Sequence, residues 1–286
     1  MKVCYLILAH NNFVHLERLI KALDDEYASS FYIHIDKKVK TKPVYSDPRI
    51  KIIPERFNIH WGDFNMVRAT LALLDCAMNN REKADYYILL SGVDYPVRAK
   101  QYLQDLLSER KEYIDIAPMP VPDKPMDRFN YYYFDYDRRN LKHYNPKFLL
   151  EVFLKKLRFK RKIPFNLYAG TQWFCLTHDC VQYILKIVEE DKRYVDFFSH
   201  TLIPDEAFFQ TIIGNSPFAD RTATGLVYTD WSVPVPPAII EERHIKFLEE
   251  NDGFQTEYGY CRPYFARKFQ DDSEAVIKEI DERLRK

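Results

Sequence analysis

Apolar runs and amphipathic stretches alternate through the first part of the chain. The pattern predicts a strand over residues 3–9, a helix near 12–23, a strand over 31–36 and a short strand near residue 52. A helix follows over 64–78, where Val67, Leu71, Leu74 and Met78 keep the spacing of a buried helical stripe. Residues 86–90 then read as a strand, 101–107 as a helix and 113–116 as a strand. This alternation predicts an α/β fold with a mostly parallel central sheet flanked by helices. A second regular block comprises a strand over 173–176, helices near 179–188 and 205–213, a strand over 226–228 and a final helix over 273–284. No Gly/Ser linker, repeat or low-complexity tract divides the chain, so residues 1–286 are expected to form a single domain.

The middle is less regular. Pro118, Pro120, Pro122 and Pro125 precede an aromatic run over 129–136, which predicts a long loop and one strand beside the open end of the sheet. Loops of that length are usually functional. Residues 154–162 read L-K-K-L-R-F-K-R-K, a basic helix end or loop, either a solvated face or a site for an acidic ligand or membrane surface.

Charge narrows the choice of partners. The 42 Lys plus Arg balance 42 Asp plus Glu, so no net field favours nucleic acid, and any polyanion must be held locally. Hydrophobic residues make up 47%, with 21 Tyr, 20 Phe and 3 Trp, enough for a sizeable core. The seven glycines form neither G-x-G-x-x-G nor G-x-x-x-x-G-K, so phosphates would have to be held by side-chain cations. Five scattered cysteines without a C-x-x-C pair suit a reducing compartment. The run over 3–9 is too short to cross a bilayer, and no later window approaches the roughly 20 apolar residues required. A cytoplasmic protein is expected, at most peripheral at the membrane.

Several apolar strands end in a polar group, where α/β proteins build ligand sites. His10 closes Y-L-I-L-A-H, Asp36 closes F-Y-I-H-I-D, and Asp94 lies just beyond Y-Y-I-L-L-S-G-V. Each carboxylate could equally be a turn or helix cap. Pro204, Asp205 and Glu206 precede an apolar helix, with Asp205 as its N-cap and Glu206 in its first turn. A carboxylate fixed there can also act as a general base. Cations gather at Arg243, Lys246, Arg262, Arg267 and Lys268, as an ordinary charged surface or a phosphate clamp. Trp61, Trp173 and Trp231 each adjoin Gly or a polar residue, which suits sugar rings or simple packing. None of the eight histidines forms H-E-x-x-H or H-x-x-x-H, and the D-x-D string Asp135–Tyr136–Asp137 reads as a solvent-facing loop.

Together the motifs resemble the core-2/I-branching β-1,6-N-acetylglucosaminyltransferases and the related peptide O-xylosyltransferases, in a compact bacterial form without the animal enzymes' membrane anchor and stem. The matching pieces are Y-L-I-L-A-H, I-H-I-D-K-K at 33–38, W-G-D-F-N-M-V-R-A-T at 61–70 and L-L-S-G-V-D-Y-P-V-R at 89–98. A-G-T-Q-W-F-C-L-T at 169–177, P-D-E at 204–206 and F-A-R-K-F at 265–269 follow in the family's order. The resemblance implies a glycosyltransferase-A (Rossmann-like) fold and an inverting, metal-independent transfer from a UDP-sugar, with N-acetylglucosamine the expected sugar. UDP-xylose, UDP-glucose, UDP-galactose or non-catalytic carbohydrate binding are alternatives. Residues 1–117 would form the nucleotide-binding half and 118–286 the acceptor-binding and catalytic half. Glu206 would be the catalytic base and Asp36 the uridine contact, with His10 beside it. Lys268 with Arg243 would hold the diphosphate, while Asp94, Trp173, Asp205, Tyr228 and Trp231 would line the sugar and acceptor sites. No cofactor or divalent metal is implied. The expected partners are the donor, a glycan or lipid-linked saccharide acceptor and, through the 154–162 run, the membrane periphery.

Overall fold

Strand β1 (Val3–Ala9) is buried along its whole length, and every neighbouring element is arranged around it. The computed structural model describes residues 1–80, 83–141 and 145–286. After β1 come α1 (Phe13–Leu23), β2 (Ala28–Ile35), β3 (Ile50–Ile52), α2 (Asn65–Met78), β4 (Tyr86–Ser91), β5 (Asp94–Pro96), α3 (Lys100–Ser108) and β6 (Glu112–Ile114). A middle stretch holds β7 (Ala117–Pro118), α4 (Asp127–Asn130), α5 (Pro146–Lys156) and β8 (Tyr168–Ala169). It leads to β9 (Phe174–Thr177), α6 (His178–Glu190), α7 (Lys192–Phe198), a 3-10 turn (Pro204–Glu206) and α8 (Phe208–Gly214). The last part comprises β10 (Thr222–Ala223), β11 (Val227–Thr229), α9 (Glu242–Glu250), the β12–β13 hairpin (Phe254–Thr256, Gly259–Cys261), β14 (Phe265–Arg267) and α10 (Glu274–Arg283).

The main sheet has seven strands in the order β10-β6-β9-β4-β1-β2-β3. All of its pairings are parallel except those of β9, which runs against both β4 and β6. Successive side chains of a strand point to opposite faces, and here both faces are covered. Leu6, Leu8, Tyr87 and Leu89 pack against α2, α6 and α8 on one face. Tyr5, Ile7, Ile33 and Leu90 pack against α1 and α3 on the other. Burial on both faces explains why these strands read as uninterrupted apolar runs. The fold is therefore mixed α/β, with a mostly parallel central sheet between helical layers.

A smaller sheet, β11-β14-β5, packs with α9 and α10 in a separate apolar cluster. The chain enters it directly from β4, as the Gly92 N–H donates to the Leu8 carbonyl at 2.8 Å and only Val93 intervenes before β5. β5 runs antiparallel to β14, with Asp94 opposite Arg267. The end of β14 is thus returned to the carboxyl end of the main sheet.

Two expectations from the sequence are corrected. The aromatic run over 129–136 is no strand: it begins inside α4 and continues without a ladder. Its side chains are engaged instead, the Tyr132 ring stacking on Phe159 and the Tyr136 hydroxyl donating to Glu151. Nor does Asp205 cap a helix over 205–213. Ile203 takes φ +53°, Pro204 to Glu206 form a 3-10 turn, and Ala207 at φ −144° interrupts the helix before Phe208. Helices α5, α7 and α9 and the strands β5 and β14 were not apparent from the pattern, whereas β11 falls within a residue of the strand expected over 226–228.

Gly170 marks the tightest approach. A Cβ there would lie 1.7 Å from the Asp115 carbonyl oxygen, and its N–H donates to the Glu206 carbonyl at 2.8 Å. Gly170→Ala is expected to destabilise the protein by about 2–3 kcal/mol in a denaturant titration, since the clash is with backbone and a shift must propagate. An unchanged midpoint would contradict this packing.

Candidate active site at the carboxyl ends of the parallel strands

A cleft of about 450 Å³ opens where β1, β2 and β4 end. Asp36 stands one residue past β2 and is almost wholly buried. Its carboxylate accepts from the Lys38 N–H at 2.8 Å and the Ile59 N–H at 3.3 Å, and lies 3.5 Å from Lys38 Nζ. Arg56 donates to the carbonyls of Ile35, Asp36 and Val39, fastening the following loop over the strand end. His10, one residue past β1, lines the same wall. Burial lowers its pKa, against the pull of Asp36, and Lys38 and Lys268 lower it further. His34 is fully buried and accepts from the Phe57 N–H at 3.0 Å, while burial pushes its pKa down to about 4. It is therefore neutral at pH 7, with Nδ1 unpartnered among the described residues.

The facing wall is cationic and aromatic. Arg267, Lys268 and Arg139 line the cleft with Trp61 and Trp173. The Arg267 guanidinium lies 4.1 Å from the Trp173 ring centroid, and its Nε lies 3.5 Å from Asp94. Asp94 is fully buried and accepts from the Ser91 N–H at 2.8 Å. Burial raises its pKa, with Arg267 opposing. Burial likewise lowers the pKa of Lys268, and the charges of Arg267 and Arg139 lower it further. Like charges held this close favour a bound anion.

Glu206 approaches from a third side. Its turn is tied to the cleft rim by the Ile203 N–H, which donates to the Gly62 carbonyl at 3.1 Å next to Trp61. Gly62 has φ +76°, a conformation side chains resist. The Glu206 carboxylate is part-exposed and accepts from Arg128 Nη1 at 2.8 Å, with Lys124 Nζ 3.9 Å away. Lys124 itself is buried against Asp123 and the Tyr258 hydroxyl. Asp205 is pushed up to about 7 by burial, then by the charge of Glu206. Asp63, whose carboxylate accepts from the Asn65 N–H at the start of α2, is pushed up to about 6, chiefly by burial.

The structure thus gathers His10, Asp36, Trp173 and Lys268 around one cleft, with Asp205 and Glu206 on the turn beside its rim. Four sequence candidates stand elsewhere. Asp94 lies behind Arg267 rather than on the cleft surface. Arg243, in the first turn of α9, is 54% exposed and bonded to Asp230 at 2.9 Å. Tyr228 packs on His244, Phe247 and Phe254, and Trp231 is exposed beyond β11. Conversely, Asp137 of the D-x-D string lines the cleft, 3.6 Å from His60, instead of facing solvent alone. Sequence reasoning missed Arg139, His34 and Arg128 as site residues. The D-R-R that follows the tyrosine run was the available signal for Arg139. A larger cavity of about 710 Å³ lies at the opposite ends of these strands, lined by Met1, Asp85 and Lys111, and holds none of these groups.

A cleft at the carboxyl ends of a parallel sheet, with a buried carboxylate on one wall and three cations on the other, stands where open α/β folds build ligand sites. The chain belongs to the Core-2/I-Branching enzyme family, whose model matches residues 3–252. Among its relatives, xylosyltransferase 2 of Rattus norvegicus is 26% identical over 261 residues, covering 81% of this chain and 27% of the relative. Xylosyltransferase 1 of Homo sapiens is 25% identical over 249 residues, covering 81% of this chain and 24% of the relative. A xylosyltransferase of Ciona intestinalis is 22% identical over 313 residues, covering 99% and 34%. The chain spans about a quarter to a third of the length of these relatives.

The raised Asp205 carboxyl sets a pH dependence. A carboxyl whose folded pKa exceeds its unfolded one favours folding most at low pH, and that contribution is lost as pH rises through the folded value. Between about pH 4 and 7 the wild type should lose stability relative to Asp205→Asn, by at most about 1.4 kcal/mol per pH unit. Parallel profiles in urea titrations across that window would contradict the assignment.

Proposed function

We propose that this protein is an inverting glycosyltransferase of the glycosyltransferase-A fold that moves a sugar from a UDP-sugar to a hydroxyl of a glycan or lipid-linked saccharide. The observation that carries this reading is the joining of two unlike walls. Asp36, His10 and His34 can receive a uridine, and Arg267, Lys268 and Arg139 can receive a diphosphate. The relatives are xylosyltransferases, which makes UDP-xylose the first donor to test, and the motif resemblance makes UDP-N-acetylglucosamine the second.

The proposed reaction is a single displacement. The acceptor oxygen forms a bond to the anomeric carbon as the bond to the diphosphate breaks, and the departing UDP keeps the electron pair. The hydroxyl proton passes to the Glu206 carboxylate. Arg128 Nη1 holds one oxygen of that carboxylate, Oε2, at 2.8 Å. Charge developing on the departing phosphate is met by Lys268 and its neighbouring arginines, already in place in a partly desolvated wall. In this scheme Arg267 and Arg139 take the place expected of Arg243, whose guanidinium is committed to Asp230. Asp94 then acts on Arg267 rather than on the sugar. A clamp of side-chain cations supports transfer without a divalent metal.

Two measurements test the assignment. Glu206→Gln should lower transfer about 10³-fold or more while UDP affinity, read by calorimetry, stays within about twofold. Transfer close to wild type would reject Glu206 as the base. Lys268→Ala should lower the transfer rate by about 10²–10³-fold, and wild-type transfer from a panel of UDP-sugars should be insensitive to EDTA. Loss of activity on chelation, restored by a divalent ion, would overturn the metal-free scheme.

A further inference from the structure

Among the described residues, helix α5 and the segment after it present the densest run of exposed large hydrophobic side chains. Of thirteen large hydrophobic side chains exposed among the described residues, six lie here: Leu149, Leu150, Val152, Phe153, Leu157 and Phe159, each 44–61% exposed. A surface helix normally turns such residues inward. The only acid between residues 145 and 163 is Glu151, and it is buried. Lys147, Lys155, Lys156, Arg158, Lys160 and Lys162 are all exposed around the apolar patch. Among the described residues only Lys155 of these makes an ion pair, with Asp127 at 3.0 Å.

We infer that α5 and residues 157–162 form a docking surface for an anionic lipid bilayer, lying in its interface with the apolar side chains inserted and the cations at headgroup level. The pairing of apolar and basic groups on one short helix is what interfacial binding requires, and long basic side chains reach headgroups while their stems stay in apolar surroundings. No helix among the described residues is long and apolar enough to cross a membrane, so the contact lies in the plane of the surface. A second copy of the chain fits less well, because a two-fold contact would set like charges against each other.

The position of α5 gives such docking a use. Glu151, the helix's inward-facing charge, accepts from the Phe134 N–H at 2.6 Å, the Tyr136 hydroxyl at 2.9 Å and Arg138 at 2.7 Å. The segment held in this way carries Asp137 and Arg139 onto the cleft. A bilayer seated on α5 therefore lies one side-chain network away from the site, where a lipid-linked acceptor would arrive. The docking itself does not depend on the chemistry proposed for that site.

The test is sedimentation of the whole protein with vesicles of phosphatidylcholine alone and of phosphatidylcholine mixed equally with phosphatidylglycerol. Binding is expected to the mixed vesicles only, and to weaken as salt is raised. Lys156→Glu/Arg158→Glu/Lys160→Glu should reduce it more than about 100-fold. Leu149→Ser/Phe153→Ser/Leu157→Ser should reduce it about 100-fold as well, from lost apolar insertion. All of these side chains are exposed, so melting temperatures should be unchanged, and should the serine variant fail to fold, the charge-reversal variant and the salt series decide. Equal partition into both vesicles, no sedimentation with either, or binding indifferent to charge reversal would overturn the proposal. So would a dimer in light scattering that the serine variant abolishes, which would assign the face to a second copy. UDP-sugar transfer is read separately, so failure of docking and failure of the transferase reading remain distinct.

Discussion

A guanidinium buried at the mouth of a sheet must be paired or stacked, and Arg267 is both. Asp94 stands opposite it across the β5–β14 pairing, and Trp173 offers its ring at 4.1 Å. These contacts join three parts of the chain: the exit from β4, the start of β9 and the end of β14. Lys268 is adjacent in sequence and is carried to the cleft by the same registration. Removing either partner would strand a buried charge, a change far more disruptive than losing an exposed ion pair. The second sheet is thereby bound to the first beside the cleft.

The central sheet was legible in the sequence because its strands are buried on both faces and their apolar runs are unbroken. From β1 to β6 every element except β5 lies within a few residues of where the pattern put it. Of the second sheet only β11 was legible; β5 and β14 were not. At three residues each, β5 and β14 are too short to show periodicity, and they pair over a separation that no local pattern records. Helix α5 escaped for a different reason: it exposes its apolar residues, so the inward stripe that marks most surface helices is missing.

The site divided along the same line. Asp36 and His10 could be found because strand ends are where such folds bind ligands. The assignment of Arg243 rests on the family resemblance, which does not reveal that its guanidinium is bonded to Asp230. The D-x-D string reads as a solvent-facing loop from its place after the tyrosine run; it is a loop, but Tyr136 bonds to Glu151 and Asp137 lines the cleft. Neutral overall charge likewise hid a strong local separation, with cations concentrated on one cleft wall and around α5.

The reversal of β9 has a consequence for how this fold can vary. β6 ends, and β9 begins, at the same edge of the sheet, so everything from Asp115 to Trp173 leaves from and returns to the cleft side. That excursion contains Lys124, Arg128, Asp137, Arg139, α5 and Trp173, while the two strands it joins are hydrogen-bonded neighbours. Its ends stay fixed whatever its length, and lengthening a closed loop costs little. Evolution can therefore rewrite what this stretch recognises, residue by residue or by insertion, without disturbing any strand of the sheet on which the cleft is built.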